Sequence, residues 1–178
     1  MGITHLGVTG TVRACGHLSL KSIRPDGSVR GQRDGRNVVC ATGYTAIAAA
    51  LAWSGVQDQA AALGLTTATW LTPLWGAVGS GSGTPSNGDT ALWSELGRQQ
   101  VGATASSPAT VTVAATVTWL FYFGSPPSAW TVTEAGAFTG ASSTAGSWLM
   151  LDHWAFSPAL TVPVTDTMIL EVSLGFGP

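Results

Sequence analysis

Apolar and polar positions alternate most clearly in the second half of the chain. Val111, Val113, Ala115, Val117, Trp119, Phe121 and Phe123 occupy odd positions, with Thr112, Thr116 and Thr118 between them. Successive side chains of a strand point to opposite faces, so this pattern predicts one long strand with an apolar face and a hydroxyl-rich one. The last segment repeats it. Val164, Asp166, Met168, Leu170, Val172, Leu174 and Phe176 share one face, and Thr165, Thr167, Glu171 and Ser173 the other. Between them, Gly124-Ser-Pro-Pro-Ser breaks the chain, and strands are predicted over Trp130 to Phe138 and Ser147 to Phe156.

The first half is more varied. Val8 to Ile23 reads as a strand closed by Arg24-Pro25-Asp26-Gly27-Ser28. Proline presets φ and glycine accepts φ > 0, so Val29 to Cys40 is expected to return antiparallel, with Asp34-Gly35 a bulge or second turn. From Thr42 an Ala-rich run behind a Thr cap predicts one helix over 43–53, and Gln57 to Leu63 a further helical turn. Thr69 to Val78 predicts a strand interrupted by Pro73, which an edge position tolerates. Gly79 to Gly88 is a Gly/Ser-rich loop, and Asp89 to Leu96 resembles a short helical turn that Asp89 would cap. Many strands joined by short turns predict a mainly β protein, an antiparallel β-sandwich-like domain with one short α-helix. Neither a fixed-period repeat nor an interdomain linker is visible, so 1–178 reads as a single domain.

Composition changes this picture in one respect. Of 178 residues 45% are apolar, enough for a core without disulfides or metal, yet only 9% are charged. Ordinary soluble domains carry about 25% charged residues. A surface so poor in charge is expected to be covered by other subunits, so self-association is the first functional inference. The charges are also unevenly placed. Arg13, Lys21, Arg24, Arg30, Arg33 and Arg36 are six of the seven basic residues, opposed within the first 36 positions only by Asp26 and Asp34. The hairpin 8–40 is therefore cationic: either simply solvated, or a docking element for an acidic protein partner. The six residues form no dense nucleic-acid patch.

The candidate chemistry is sparse. The start, Met1 to His5, shows no basic region followed by an apolar run, so synthesis in a cytoplasm is expected, and the long uncharged stretches alternate instead of forming a membrane span. Gly79 to Gly83 leads into Thr84-Pro85 and not the Gly-Lys-Ser/Thr of a phosphate cradle. Asp152 and His153 are neighbours on a strand and point to opposite faces, and the other histidines, His5 and His17, are distant; hydrogen bonding at a surface or interface near Trp154 is the expected role. No nucleophile elbow occurs, and nothing in the spacing brings Glu134 and Asp152 together across a sugar. Cys15 and Cys40 lack metal-ligand spacing and read as free thiols, with pairing left open. No enzyme, cofactor or metal site is expected. The eight tryptophans, Trp53, Trp70, Trp75, Trp93, Trp119, Trp130, Trp148 and Trp154, read as core and interface fillers, with Trp130 after Pro126-Pro127 the best candidate for an exposed aromatic contact.

Two stretches carry a resemblance. Arg24-Pro-Asp-Gly-Ser-Val, followed by Gly35-Arg-Asn-Val-Val-Cys-Ala-Thr-Gly-Tyr-Thr-Ala-Ile-Ala, resembles the strand, turn, strand and helix that open small tailed-phage virion proteins. Val78 to Leu96, Val132-Thr-Glu-Ala-Gly-Ala-Phe and Thr165-Asp-Thr-Met-Ile-Leu-Glu-Val are similar to a domain of phage tail-fibre, baseplate and head-surface proteins. The resemblance implies a non-enzymatic virion protein, made in the host cytoplasm, partnered by itself as a homotrimer and by other virion proteins, without nucleic acid or membrane. The chain stops at Pro178 directly after the last strand, which suits a short fibre, adaptor or capsid decoration better than a complete long fibre. A carbohydrate-binding adhesin module for host attachment is the alternative. Independently of the resemblance, Gly79, Gly81 and Gly83 suit close loop packing, and Glu134 suits bonding to an exposed backbone amide.

Overall fold

A computed structural model describes residues 13–44, 75–101, 110–113, 116–139 and 149–177. Nine strands run through them: β1 (Arg13–Ile23), β2 (Val29–Val39), β3 (Trp75–Gly79), β4 (Glu95–Gln100), β5 (Thr110–Val113), β6 (Thr116–Phe123), β7 (Trp130–Thr139), β8 (Leu149–Val162) and β9 (Thr167–Gly177). Every pairing is antiparallel, in the order β4-β3-β7-β8-β2-β1-β9-β6-β5.

The sheet folds over on itself into two layers. Strand β2 belongs to both: most of its length pairs with β1, and its end, Val38 and Val39, pairs with His153 and Asp152 of β8. Leu18 and Leu20 of β1, Phe121 of β6 and Leu170 of β9 thus meet Val78, Val132 and Ala135 of the opposite layer in one buried core. Gly76 of β3 shows how close the layers lie, since a Cβ there would stand 2.5 Å from the Phe121 ring. Burying a side chain such as Phe121 or Leu170 contributes about 1.5–3 kcal/mol each, so these alternating positions hold the layers together. The mainly β, antiparallel, sandwich-like architecture is the one the alternation predicts.

The hairpin forms as its turn chemistry requires. Gly27 has φ +83°, its amide donates to the Arg24 carbonyl, and the Ser28 amide donates to the Asp26 side chain. Register is unbroken through Ser19↔Asp34 and Leu18↔Gly35, so the expected bulge at Asp34-Gly35 is absent; the irregularity lies instead at Ser22/Ile23. The predicted long strand from Val111 to Phe123 is two strands, which pair through Val113↔Thr116, because an alternating pattern does not reveal a reversal that preserves it. Strand β3 lies between β4 and β7 and is not an edge, while Pro73 falls outside the described residues. Helical backbone covers 41–44, at the start of the expected helix; 45–53 and the further turn at 57–63 lie outside the described residues.

Candidate functional site

The layer containing β3, β7 and β8 is buried on both faces. Ala135 and Trp154, a register pair, face the main core, whereas Gly136 and His153, the next pair, face outward. The outward face carries a second apolar cluster of Cys40, Ala77, Leu92, Phe138 and Met150, with Trp75 against it. The chain from Ser80 to Ser94 lies over this face, and polar groups fasten it there.

Glu134, with no exposed surface, is the centre of that fastening. Its carboxylate accepts from the amides of Gly81 (2.9 Å), Trp93 (3.0 Å) and Ser94 (2.8 Å), which lie at both ends of the loop. It also meets His153 Nε2 at 3.1 Å, while His153 Nδ1 lies 2.5 Å from Asp89. Asp89 in turn accepts from the Ser86 amide and hydroxyl. Asp89 therefore closes a turn backwards and reaches His153. It caps no helix, and the chain bends at Ala91, Trp93 and Ser94 before β4 begins. The Thr133 hydroxyl donates to the Gly81 carbonyl, and the Trp93 ring packs 4.4 Å from the His153 ring. Side chains at Gly79 and Gly81 would strike Glu134, so the glycines admit the carboxylate.

The electrostatics follow from this enclosure. Burial alone would push the His153 pKa down, but Glu134 and Asp89 outweigh it and raise it. Burial would likewise raise Glu134, yet His153 and the three amides hold it below the usual carboxylate range, and Asp89 is lowered similarly through Ser86 and His153. Both carboxylates favour the protonated ring, and the group is a histidine clasped between them. With both ring nitrogens engaged, its chemistry is to hold a loop. Expected at a surface or interface near Trp154, His153 is instead fully buried beneath Trp93.

Asp152 points the other way and belongs to a separate network. It accepts from the Ala137 amide at 2.8 Å and from Asn37 Nδ2 at 2.6 Å. Complete burial pushes its pKa up to about 7 against those two bonds. Cys40 is a free buried thiol whose pKa burial raises to about 12; the Cys15 side chain lies outside the described residues. No group of three His, Cys, Asp or Glu suited to a metal ion occurs among the described residues.

No protein-family model matches this chain, and no curated protein or solved structure is significantly similar to it.

The hairpin that carries the basic residues is central to the sheet, with β1 paired to β9 and β2 to β8. Arg30 makes two bonds to Asp166, at 2.6 and 3.1 Å, and that carboxylate is fully buried with the Ser22 hydroxyl. Arg33 donates to the carbonyls of Pro158, Ala159 and Gln32, and Arg24 to the Ser28 hydroxyl. Lys21 is half-buried, Arg36 is exposed, and the Arg13 side chain lies outside the described residues. Trp130 is half-buried over Gly97 and packs against the main core. Among the described tryptophans it is Trp93 that is most exposed, at 38%. Trp119 and Trp154 are buried and Trp75 half-buried, while Trp53, Trp70 and Trp148 lie outside the described residues.

Sequence reasoning singled out Glu134 for an amide bond but missed that His153 and Asp89 complete the group. The period-two pattern did hold one signal for it. Glu134 and His153 are ionisable residues on two strands rich in apolar and small residues, and each faces away from the main core at the glycine-containing register of Gly136, which leaves room for a covering loop.

Proposed function

We propose that this chain is a non-enzymatic structural subunit that associates with copies of itself inside a larger particle. The resemblance of its loop and strand motifs points to a tailed-phage virion as that particle, with the chain as tail-fibre, adaptor or capsid-decoration subunit. One observation carries the structural reading: most of the described charged groups that lie near a partner are engaged within the fold. Glu134, His153 and Asp89 fasten a loop, Asp166 and Arg30 join the β8–β9 turn to β2, Arg33 holds backbone carbonyls, and Arg98 pairs with Glu95 at 2.6 Å. What remains for the surface is mostly hydroxyl, amide and apolar, the composition of a face that meets other protein.

Light scattering on the purified chain tests the reading. A homo-oligomer is expected, a trimer if the resemblance holds, and a stable, soluble monomer at micromolar concentration would overturn it. Antibody labelling of intact particles in the electron microscope would then distinguish head from tail. The adhesin reading is favoured by one observation, a cavity beside an exposed tyrosine.

A further inference from the structure

A cavity of about 340 Å³ opens where β1 and β2 meet the start of the helix, lined by Gly16, Arg36, Asn37, Val38, Val39, Tyr44 and Asn87. Its volume lies at the lower end of the range for small-molecule sites. Two of its side chains are conspicuous. Arg36 is exposed and, of the five arginines whose side chains are described, it alone has no hydrogen-bond or ion-pair partner among the described residues: Arg24, Arg30, Arg33 and Arg98 are all tied to acceptors. Tyr44 is 50% exposed, although the helix that carries it is anchored. The Tyr44 amide bonds the Cys40 carbonyl, the Ala41 amide bonds the Asn87 carbonyl, and the Thr42 hydroxyl bonds the Met150 carbonyl. The cavity wall is thus held in shape from both the hairpin and the Gly-rich loop.

We propose that this cavity binds a carboxylated sugar unit of a polysaccharide, a property that holds whichever assembly the chain builds. A free guanidinium beside a concave surface selects a carboxylate, which it grips through two parallel N–H donors. The exposed Tyr44 ring offers an apolar face and a phenol, and the Asn87 amide both a donor and an acceptor, which suits a body bearing many hydroxyls. An extended acidic peptide would meet the same guanidinium, but it carries its carboxylates on flexible side chains and lacks the many hydroxyls that the Tyr44 phenol and the Asn87 amide suit.

The test is calorimetric titration of the intact protein with trigalacturonate at low salt, beside neutral maltotriose and a tri-glutamate peptide. Saturable binding of trigalacturonate is expected, at least tenfold tighter than either comparator. Arg36→Gln and Tyr44→Ala are each expected to weaken it at least tenfold, while Arg24→Gln, a charge control at the hairpin tip, leaves it unchanged. Both substituted side chains are exposed, and circular dichroism checks that the variants fold. Absence of saturable binding, full affinity in Arg36→Gln, or an equal loss in Arg24→Gln would each overturn the proposal. Tri-glutamate binding as tightly as the sugar acid would overturn it in favour of an acidic protein partner. None of these outcomes bears on the oligomeric state, so this site and the structural role fail or stand separately.

Discussion

Two carboxylates, Glu134 and Asp166, fasten two ends of the sandwich in different ways. Asp166 sits in the turn between β8 and β9 and meets an arginine that is itself 38% exposed. Arg30 beside it, helped by Ser22, holds its pKa down to about 2 despite burial. Glu134 has no exposed surface, and neither has its partner His153; three backbone amides complete its shell. Water can replace Arg30 if it leaves. Nothing replaces the shell of Glu134 except the loop, so the same residue class gives a replaceable tie at one end and an obligatory one at the other.

The sharpest way to break the comparison is Glu134→Ala. It leaves three amides and His153 Nε2 without their acceptor, while His153 Nδ1 keeps Asp89, and removing one partner from such a buried group costs about 3–5 kcal/mol. A melting temperature lower by about 10 °C or more is expected for a chain of this size, with the loop opened to hydrogen exchange at Gly81, Trp93 and Ser94. Unchanged protection of those amides would refute the clasp. Next is Gly79→Ala, where the added methyl would stand 2.5 Å from the Ser94 carbonyl and 2.4 Å from Glu134; a smaller loss with the same local loosening is expected. At the other end, Arg30→Gln should lower the melting temperature by only about 2–4 °C. A fall equal to that of Glu134→Ala would erase the distinction between the two ties.

The pH dependence sharpens the comparison further. His153 has a raised pKa, so its contribution is present in full below its ordinary value of 6.5 and is lost as pH rises through the folded value. Glu134 and Asp89 are lowered, so theirs is present above the ordinary carboxylate range and lost on acidification. Asp152 behaves oppositely to those two. With its pKa raised from 3.8 to about 7, the native state binds more protons than the unfolded one, and stability falls as pH climbs across that interval. Asp152→Asn should flatten the fall expected in thermal melts between pH 4 and 7, since a neutral amide keeps an acceptor for Ala137. It also offers a donor to Asn37 Oδ1, which has no partner. The smallest effect is reserved for Arg36→Glu, which touches no internal tie and should leave stability unchanged. Reversing Arg30, Arg33 and Arg36 together would instead damage the fold through Arg30, so only Arg36 tests docking of the hairpin cleanly, by co-sedimentation with particles across a salt series.

Periodicity alone was enough for β6, β7, β9 and the first part of β8, and, with turn chemistry, for the hairpin turn at Pro25-Asp26-Gly27 and the sandwich-like class, because alternation and turn chemistry are local properties of the chain. Low charge was equally legible, and with it the expectation of a surface that meets other subunits. Where β5 turns into β6 was not legible, since both arms carry the same alternation. That β3 is interior, that Arg30 reaches Asp166 across 136 positions and that His153 finds Glu134 and Asp89 were decided by tertiary structure. Side-chain parity on a strand tells which face a residue takes, but what covers that face depends on loops folding back from elsewhere. A buried charge acquires its role only when that covering segment supplies the amides and counter-charges that make its burial tolerable.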